Sequence, residues 1–546
     1  SNNTNTAELD QLAAMEQLGA STLLLLVLAF IYLVLRLRPY RLGSGKAASR
    51  PPLPPGPVPW PVVGSLPEMM LGKPAFRWIH RMMEEKRTDI ACVRLGNVHV
   101  VSITCPRIAR EVLMKQDATF ASRPLTFASA AFSRGYKNAV LSPAGEQWRK
   151  MRRVLTSEII CPSRHRWLHA RRADEADNLT RYVHALATAA VTSSSAVVDV
   201  RHVARHYCGN VVRRLLFGSR YFGEPRRDGG PGIVEVEYMD ALFTSLGLLF
   251  SFCVSDYLPW LRGFDLDGHE KMVKQANATM NRLHDPVIDE RWRQWKAGER
   301  TELDDFLDVL ITLKDAQGKP LLTIEEVKAQ CQDITFAAVD NPSNAVEWAL
   351  AEMANAPELM TKTVEEVGRE RPVQESDIPK LVYAKACIRE AFRLHPVAPF
   401  NVPHVALAET SVAGYRVPVG SHVLLSRTGL GRNPAVWDDP LRFRPERHID
   451  TAAGGGGDVV LTENELRFIS FSTGRRGCVA ASLGTTMCVM LFCRLLQGFT
   501  WSKPAGLAAV DLSESEHDVF MAKPLVLHAQ PRLPVHLYPA NATAAV

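Results

Sequence analysis

One segment fixes what the rest of this chain must pack around. Thr323-Ile324-Glu325-Glu326 is a capping box, in which a hydroxyl and a carboxylate satisfy each other's backbone donors. Apolar residues at helical spacing follow to about Asn355, and Pro357 stops the run. Roughly 32 residues at 1.5 Å each predict a helix of about 48 Å, enough to cross a whole domain. A chain built on such an axis is expected to be mainly α. The middle of the segment, Phe336 to Asn344, goes against helix propensity. Pro342 has no N–H, so the carbonyl of Ala338 loses its partner, and the helix is expected to bulge or kink there.

A second apolar helical run, Val479 to Cys493, is preceded by the loop Phe471-Ser472-Thr473-Gly474-Arg475-Arg476-Gly477-Cys478. Gly474 permits a sharp turn against a flat partner. Arg476 presents a planar fork suited to a carboxylate. Cys478 stands at a helix N-terminus, where the dipole and free N–H groups favour a thiolate that stays ionised. The loop therefore reads as one that hands a thiolate to a haem iron, a ligand that favours O–O cleavage, with Arg476 on a propionate. A buried structural cysteine in a glycine-bearing turn is the competing reading of these residues alone.

Three further motifs bear on that choice. Glu390 and Arg393 lie at i, i+3 on one helix face, and Arg447 in Phe443-Arg444-Pro445-Glu446-Arg447-His448 can complete a buried Glu–Arg–Arg network. Trp148 and Arg152 sit one helical turn apart, suited to the second propionate. In this order and spacing the four motifs resemble the cytochrome P-450 haem-thiolate monooxygenases. The resemblance implies a large helical domain with a small β-rich region. It implies haem b (iron protoporphyrin IX) held through Cys478, with His404 meeting a propionate. It also implies a dioxygen groove at the helix break, with Ala338 small enough to permit the approach. Where that family usually has an acid followed by an alcohol, this chain has Asp340-Asn341. An amide donates a hydrogen bond but relays a proton poorly. Proton delivery then runs through Asp340 and water, or the reaction does not need the relay.

Ala337-Ala338-Val339-Asp340-Asn341-Pro342-Ser343-Asn344, Phe400-Asn401-Val402-Pro403-His404 and the Ser470 to Ala481 loop together resemble the plant amino-acid N-monooxygenases, which form aldoximes. Ala480, where most of the superfamily has glycine, fits that branch. Val203 to Asn210 and Ser255 to Gly263 bring the chain nearest to its tyrosine-acting members, from cyanogenic glucoside biosynthesis. By that likeness the reaction is two N-hydroxylations of an L-amino acid, then loss of carbon dioxide and water. It draws on O2 and on electrons from the NADPH-cytochrome P-450 reductase. Tyrosine is the first expected substrate and phenylalanine the second. Oxidising nitrogen needs the neutral amine, so a site that lowers the ammonium pKa helps. Arg123 and Lys137 are candidate partners for the substrate carboxylate, and Arg123 as a brace at the haem edge is the equal alternative. Phe127, Phe132 and Phe400 are candidates for an aromatic slot, with core packing as the alternative for each. The helix opened by Pro357 ends near Val367, about five residues earlier than in such relatives. That deletion is either tolerated or the mark of an inactive haem-binding protein. A reductase-independent isomerase or dehydratase is a further alternative, suggested by the missing alcohol.

The chain's 546 residues, 46% of them hydrophobic, can bury a large core, and the motifs from Trp148 to Cys478 place one haem domain at 61–546. Before it, Leu18 to Leu35 is almost unbroken apolar sequence, just long enough to span a bilayer. Acidic residues precede it in 1–17 and Arg36, Arg38, Arg41, Lys46 and Arg50 follow. This asymmetry predicts a lumenal 1–17, a single-pass anchor at 18–35 and a cytosolic catalytic domain on the endoplasmic reticulum membrane. A basic and Pro-rich linker fills 36–60. Net charge is only +6, on 64 basic and 58 acidic residues, with no basic run interleaved with aromatics, so no nucleic acid partner is expected. Ten cysteines without a CxxC pair are expected to be free thiols in a reducing compartment.

Overall fold

The computed structural model describes Phe30 and residues 50–189, 197–249, 251–449 and 458–539. The expected lumenal segment and, apart from Phe30, the expected anchor lie outside the described residues, as do linker residues 36–49. Among the described residues, Ala481–Gly498 is long and apolar enough to cross a bilayer, but 78% of it is buried in protein, so it is a core helix.

The architecture is mainly α, as expected. The helices that matter for the site are α1 (Phe127–Phe132), α2 (Glu146–Val154), α3 (His169–Ala189), α4 (Val200–Phe217), α5 (Ile233–Leu249), α6 (His269–Ala297), α7 (Ile324–Asn355), α8 (Pro357–Val367), α9 (Val382–Leu394) and α10 (Ala481–Gly498). The long helix α7 has the bounds its sequence predicts. Both capping-box bonds form between Thr323 and Glu326. Helix α7 packs on α4, α6, α9 and α10 and is buried over most of its length. Its expected break does not interrupt the helix, which runs on through Pro342. The Ser343 hydroxyl donates to the carbonyls of Val339 (2.9 Å) and Asp340 (3.0 Å), so local side-chain bonding covers backbone groups beside the proline.

The β-rich part is small. Strands β1 (Ile90–Leu95) and β2 (Val98–Ile103) form an antiparallel hairpin. Two further sets are β3 (Val197–Asp199), which pairs with a C-terminal hairpin, and β5 (Thr410–Val412) with β6 (Tyr415–Val417). Strands β4 (His404–Val405) and β7 (His422–Leu425) extend the first sheet in the order β1-β2-β7-β4. Their antiparallel register sets His404 opposite Val423 and runs residues 399–401 alongside 425–427. The Pro-rich stretch lies on this sheet: the Pro55 carbonyl accepts from Cys92 N–H (2.9 Å) and that of Pro52 from Arg416 N–H (2.8 Å).

The segment after α8 is knitted into the core. Glu366 accepts from the backbone N–H groups of Tyr383 (2.7 Å) and Ala384 (2.8 Å), which caps α9. Gln497 on α10 accepts from Val373 N–H (2.8 Å) and donates to the Arg371 carbonyl (2.8 Å). The N-terminus of the Glu390 helix is therefore satisfied.

Candidate active site

Glu390 and Arg393 form a fully buried ion pair. Both side chains are 0% exposed, and two parallel bonds of 2.7 and 2.8 Å join them. Arg447 Nε donates to Glu390 Oε1 at 3.0 Å, completing the expected network. His448, which sequence reasoning left out, adds a bond of 2.7 Å to Oε2. Its other nitrogen lies 3.3 Å from Arg389 Nε, so Nδ1 accepts and Nε2–H donates to the carboxylate. Burial pushes the Glu390 pKa up, but the bonds to Arg393 and His448 outweigh it and hold the group at about 2. Arg393 also donates to the carbonyls of Gly431 (2.5 Å) and Pro440 (2.7 Å), tying α9 to the meander that leads to Cys478.

The cysteine loop turns as its glycine requires. Gly474 has φ of +75°, and a Cβ there would collide with the Leu113 carbonyl oxygen. Asp117 fixes the turn by accepting from Arg475 N–H (3.0 Å). Cys478 N–H donates to the Phe471 carbonyl (2.8 Å), and Ala480 N–H reaches Cys478 Sγ (3.3 Å). The thiol is accessible although surrounded by protein, so it faces an interior cleft. Burial pushes the pKa of the free Cys478 thiol up, and the Ala480 N–H, Arg152 and Arg427 pull it down. Helix α10 begins just beyond it, at Ala481.

A cluster of cations stands at one edge of the cleft. Arg476 lies 4.2 Å from the ring centre of Trp148 and donates to the carbonyls of Ala121 (2.6 Å) and Ser142 (2.8 Å). Arg123 is buried and donates to Val402 (2.9 Å) and Pro403 (2.7 Å) carbonyls. Burial and the charges of Arg476 and Arg152 lower its pKa. His404 Nδ1–H donates to the Phe120 carbonyl (2.7 Å), and burial with Arg123 holds the ring neutral, near a pKa of 3. Two polar atoms in this cluster, Trp148 Nε1 and His404 Nε2, are buried without a protein partner. Three guanidiniums and the orphaned Trp148 Nε1–H fit the two carboxylates of a protoporphyrin, whereas the neutral His404 offers only an acceptor at Nε2. This geometry puts Arg123 with the brace reading rather than with the substrate. Asp333 on α7 orders the loop that receives Arg476, accepting from Asn138 Nδ2 (3.1 Å) and the N–H groups of Ala139 and Val140 (both 3.2 Å).

On the opposite wall, the middle of α7 opens to the cleft. Ala337 is exposed and Ala338 and Asn341 are half-buried, in a helix whose neighbouring residues are buried. Asn341 Nδ2 lies 3.5 Å from the Ala337 carbonyl, a weak contact that leaves the amide free to turn. Asp340 is buried, its Oδ1 has no protein partner, and burial raises its pKa to about 7, with Arg205 and Arg427 pulling it down. Such a carboxyl both gives and takes a proton at neutral pH. Phe132 packs edge-to-face on Phe336, 5.5 Å away and one turn before Asp340. The other two aromatic candidates stand elsewhere. Phe127 faces Arg262 (6.0 Å) and Lys274 (5.7 Å), and Phe400 packs on His80 (5.2 Å). Lys137 is held through its backbone, by Ser133 and Gln147, and no described contact ties its ammonium to Asp340.

A thiol, a cationic edge and an open helix wall suit a flat iron-bearing ring. The comparisons agree with the geometry. The sequence family described as Cytochrome P450 matches residues 54–528. The chain is 76% identical over 533 residues to tyrosine N-monooxygenase of Sorghum bicolor, covering 95% of each chain. It is 54% identical to tryptophan N-monooxygenase 1 of Arabidopsis thaliana, over 96% of this chain and 97% of that one. Against valine N-monooxygenase 2 of Manihot esculenta the identity is 51%, over 98% of both.

Proposed function

This chain belongs to the cytochrome P450 family and is a haem-thiolate monooxygenase, and from that premise we propose that it converts L-tyrosine to its aldoxime. The observation that carries the substrate is the 76% identity with a tyrosine N-monooxygenase over nearly the whole chain. Each of two rounds puts one oxygen atom into an N–H bond and releases the other as water, consuming two electrons and two protons. The N,N-dihydroxy product then loses carbon dioxide and water to leave the oxime. The electrons come from the NADPH-cytochrome P-450 reductase, and the protein is held on the endoplasmic reticulum membrane by residues 18–35. The resulting oxime is a first intermediate for cyanogenic glucoside biosynthesis.

The haem, bound through Cys478, supplies dioxygen activation. The chain's own residues do the rest. Arg152, Arg123 and Arg476 would hold the propionates by charge, and Trp148 Nε1–H would donate to them. Asp340 Oδ1 takes the proton of the substrate ammonium, which exposes the nitrogen lone pair, and returns protons to the groove alongside Ala338. Phe132, fully buried against Phe336, is core packing behind α7 rather than a wall of the slot. The residue after the acid is secondary in this scheme because the proton is handled at Asp340. Asn341→Thr is accordingly expected to retain substantial oxime formation in the reconstituted enzyme. Complete loss would assign the amide a specific role.

The substrate is tested by incubating the reconstituted enzyme with each of the twenty amino acids and scoring oximes by mass. Tyrosine is expected to dominate, with phenylalanine next, since a slot that bonds the phenol rejects its absence strongly. Omitting NADPH or reductase should abolish product; undiminished product without reductant would refute the monooxygenase scheme.

A further inference from the structure

Arg427 has no role in the arrangement above, yet its guanidinium reaches the same cleft. It follows β7 directly, and the pairing of residues 399–401 with 425–427 fixes its backbone: Arg427 N–H donates to the Pro399 carbonyl (2.9 Å) and Asn401 N–H to that of Leu425 (2.9 Å). Nη2 donates to Asn401 Oδ1 at 3.4 Å. Asn401 Nδ2 in turn donates to Ser472 Oγ in the cysteine loop (3.3 Å), so the amide's orientation is set from both ends. Nε of Arg427 is buried with no protein partner, and among the described residues no carboxylate forms an ion pair with the group.

Its electrostatic surroundings separate it from the propionate cluster. The charges acting on Arg427 are those of Asp340 and Cys478, both attractive, whereas Arg123, Arg476 and His404 act on one another. Asp340 and Arg427 thus lie near enough to attract each other but form no ion pair among the described residues, the acid keeping an unpartnered Oδ1 and the base an unpartnered Nε–H. A ligand bearing a cation and a carboxylate on one carbon would satisfy both, with its ammonium at Asp340 and its carboxylate on the fork. We propose that Arg427, oriented by Asn401, binds the α-carboxylate of the amino-acid substrate and so aims its nitrogen at the groove beside Ala338. This rests on the amino-acid reading given above and adds the residue that selects amino acids over amines.

The test uses purified holoenzyme and the spectral shift that a ligand causes on entering the haem pocket. Tyrosine and tyramine share the ring and the amine, and differ in the carboxylate. Wild type is expected to bind tyrosine more tightly than tyramine. In R427Q, tyrosine binding should weaken about ten- to hundredfold, the range for a lost charge-assisted bond, with tyramine nearly unchanged. R427K, which keeps the charge but not the fork, should fall between. Haem content and the carbon monoxide difference spectrum should match wild type. Equal weakening of both ligands, undiminished preference for tyrosine in both variants, or loss of haem from both would overturn the assignment. A wild type that binds none of the twenty amino acids would remove the amino-acid reading itself, and this inference with it. A wild type that prefers tyrosine while R427Q and R427K keep that preference sinks the inference alone.

Discussion

Cys478→Ala abolishes oxime formation and removes the red-shifted Soret band that a thiolate-ligated haem gives with carbon monoxide. The two losses are expected together. The loop around position 478 is fixed by contacts that do not involve sulfur: the Gly474 turn, Asp117 on Arg475 N–H, and Cys478 N–H on the Phe471 carbonyl. Alanine keeps all three, so the variant should fold and unfold at a temperature close to that of the metal-free wild type. What it lacks is the only cysteine of the ten that is exposed; the others are buried or half-buried. Among those, Cys488 and Cys493 are sealed within α10 and burial pushes both thiols up, so neither substitutes as a ligand. Retained turnover in the Cys478→Ala enzyme would refute the assignment of the iron ligand. Loss of folding along with haem would show instead that the sulfur is a packing element.

Local chemistry was readable from the residues wherever partner groups are close in sequence. The Thr323–Glu326 box, the i, i+3 pair of Glu390 and Arg393, and the Gly474 turn depend on neighbours within a few positions. Groups placed by long-range pairing were not readable. Arg427 is 86 residues beyond Asn341 and meets the cleft only because β4 pairs with β7. In the sequence it is an arginine after an apolar strand, a pattern that ordinarily marks a solvated strand end. Asp333 likewise reads as one polar residue on a long helix, until the loop 138–142 folds over it. Arg123 stayed open between the substrate carboxylate and the haem edge, because its bonds run to Val402 and Pro403, some 280 residues away.

Glu390→Ala is expected to cost about 3–5 kcal/mol, because it strands Arg393 at 0% exposure and leaves Arg447 without its carboxylate. Much of that cost is desolvation of the abandoned guanidinium rather than loss of one bond. The exposed pair Arg282–Glu237, at 2.6 Å with both side chains about half exposed, is the control. Glu237→Ala should change stability by about 1 kcal/mol or less. Thermal unfolding and haem retention of the two variants check the contrast, and similar shifts would mean that the buried network contributes no more than a surface pair. Acid titration supplies an independent reading with a definite sign. Glu390 binds its proton at about 2 in the folded protein against an ordinary value of 4.5. Its contribution is therefore fully present above pH 4.5 and lost as pH falls through about 2, amounting to about 3 kcal/mol at 1.36 kcal/mol per unit. The stability gap between wild type and Glu390→Gln should be constant above pH 5 and close between pH 4.5 and 2. A gap that instead began to change as pH fell through 6.5 would assign the effect to His448, whose burial lowers its pKa and whose neutral ring donates to the same carboxylate.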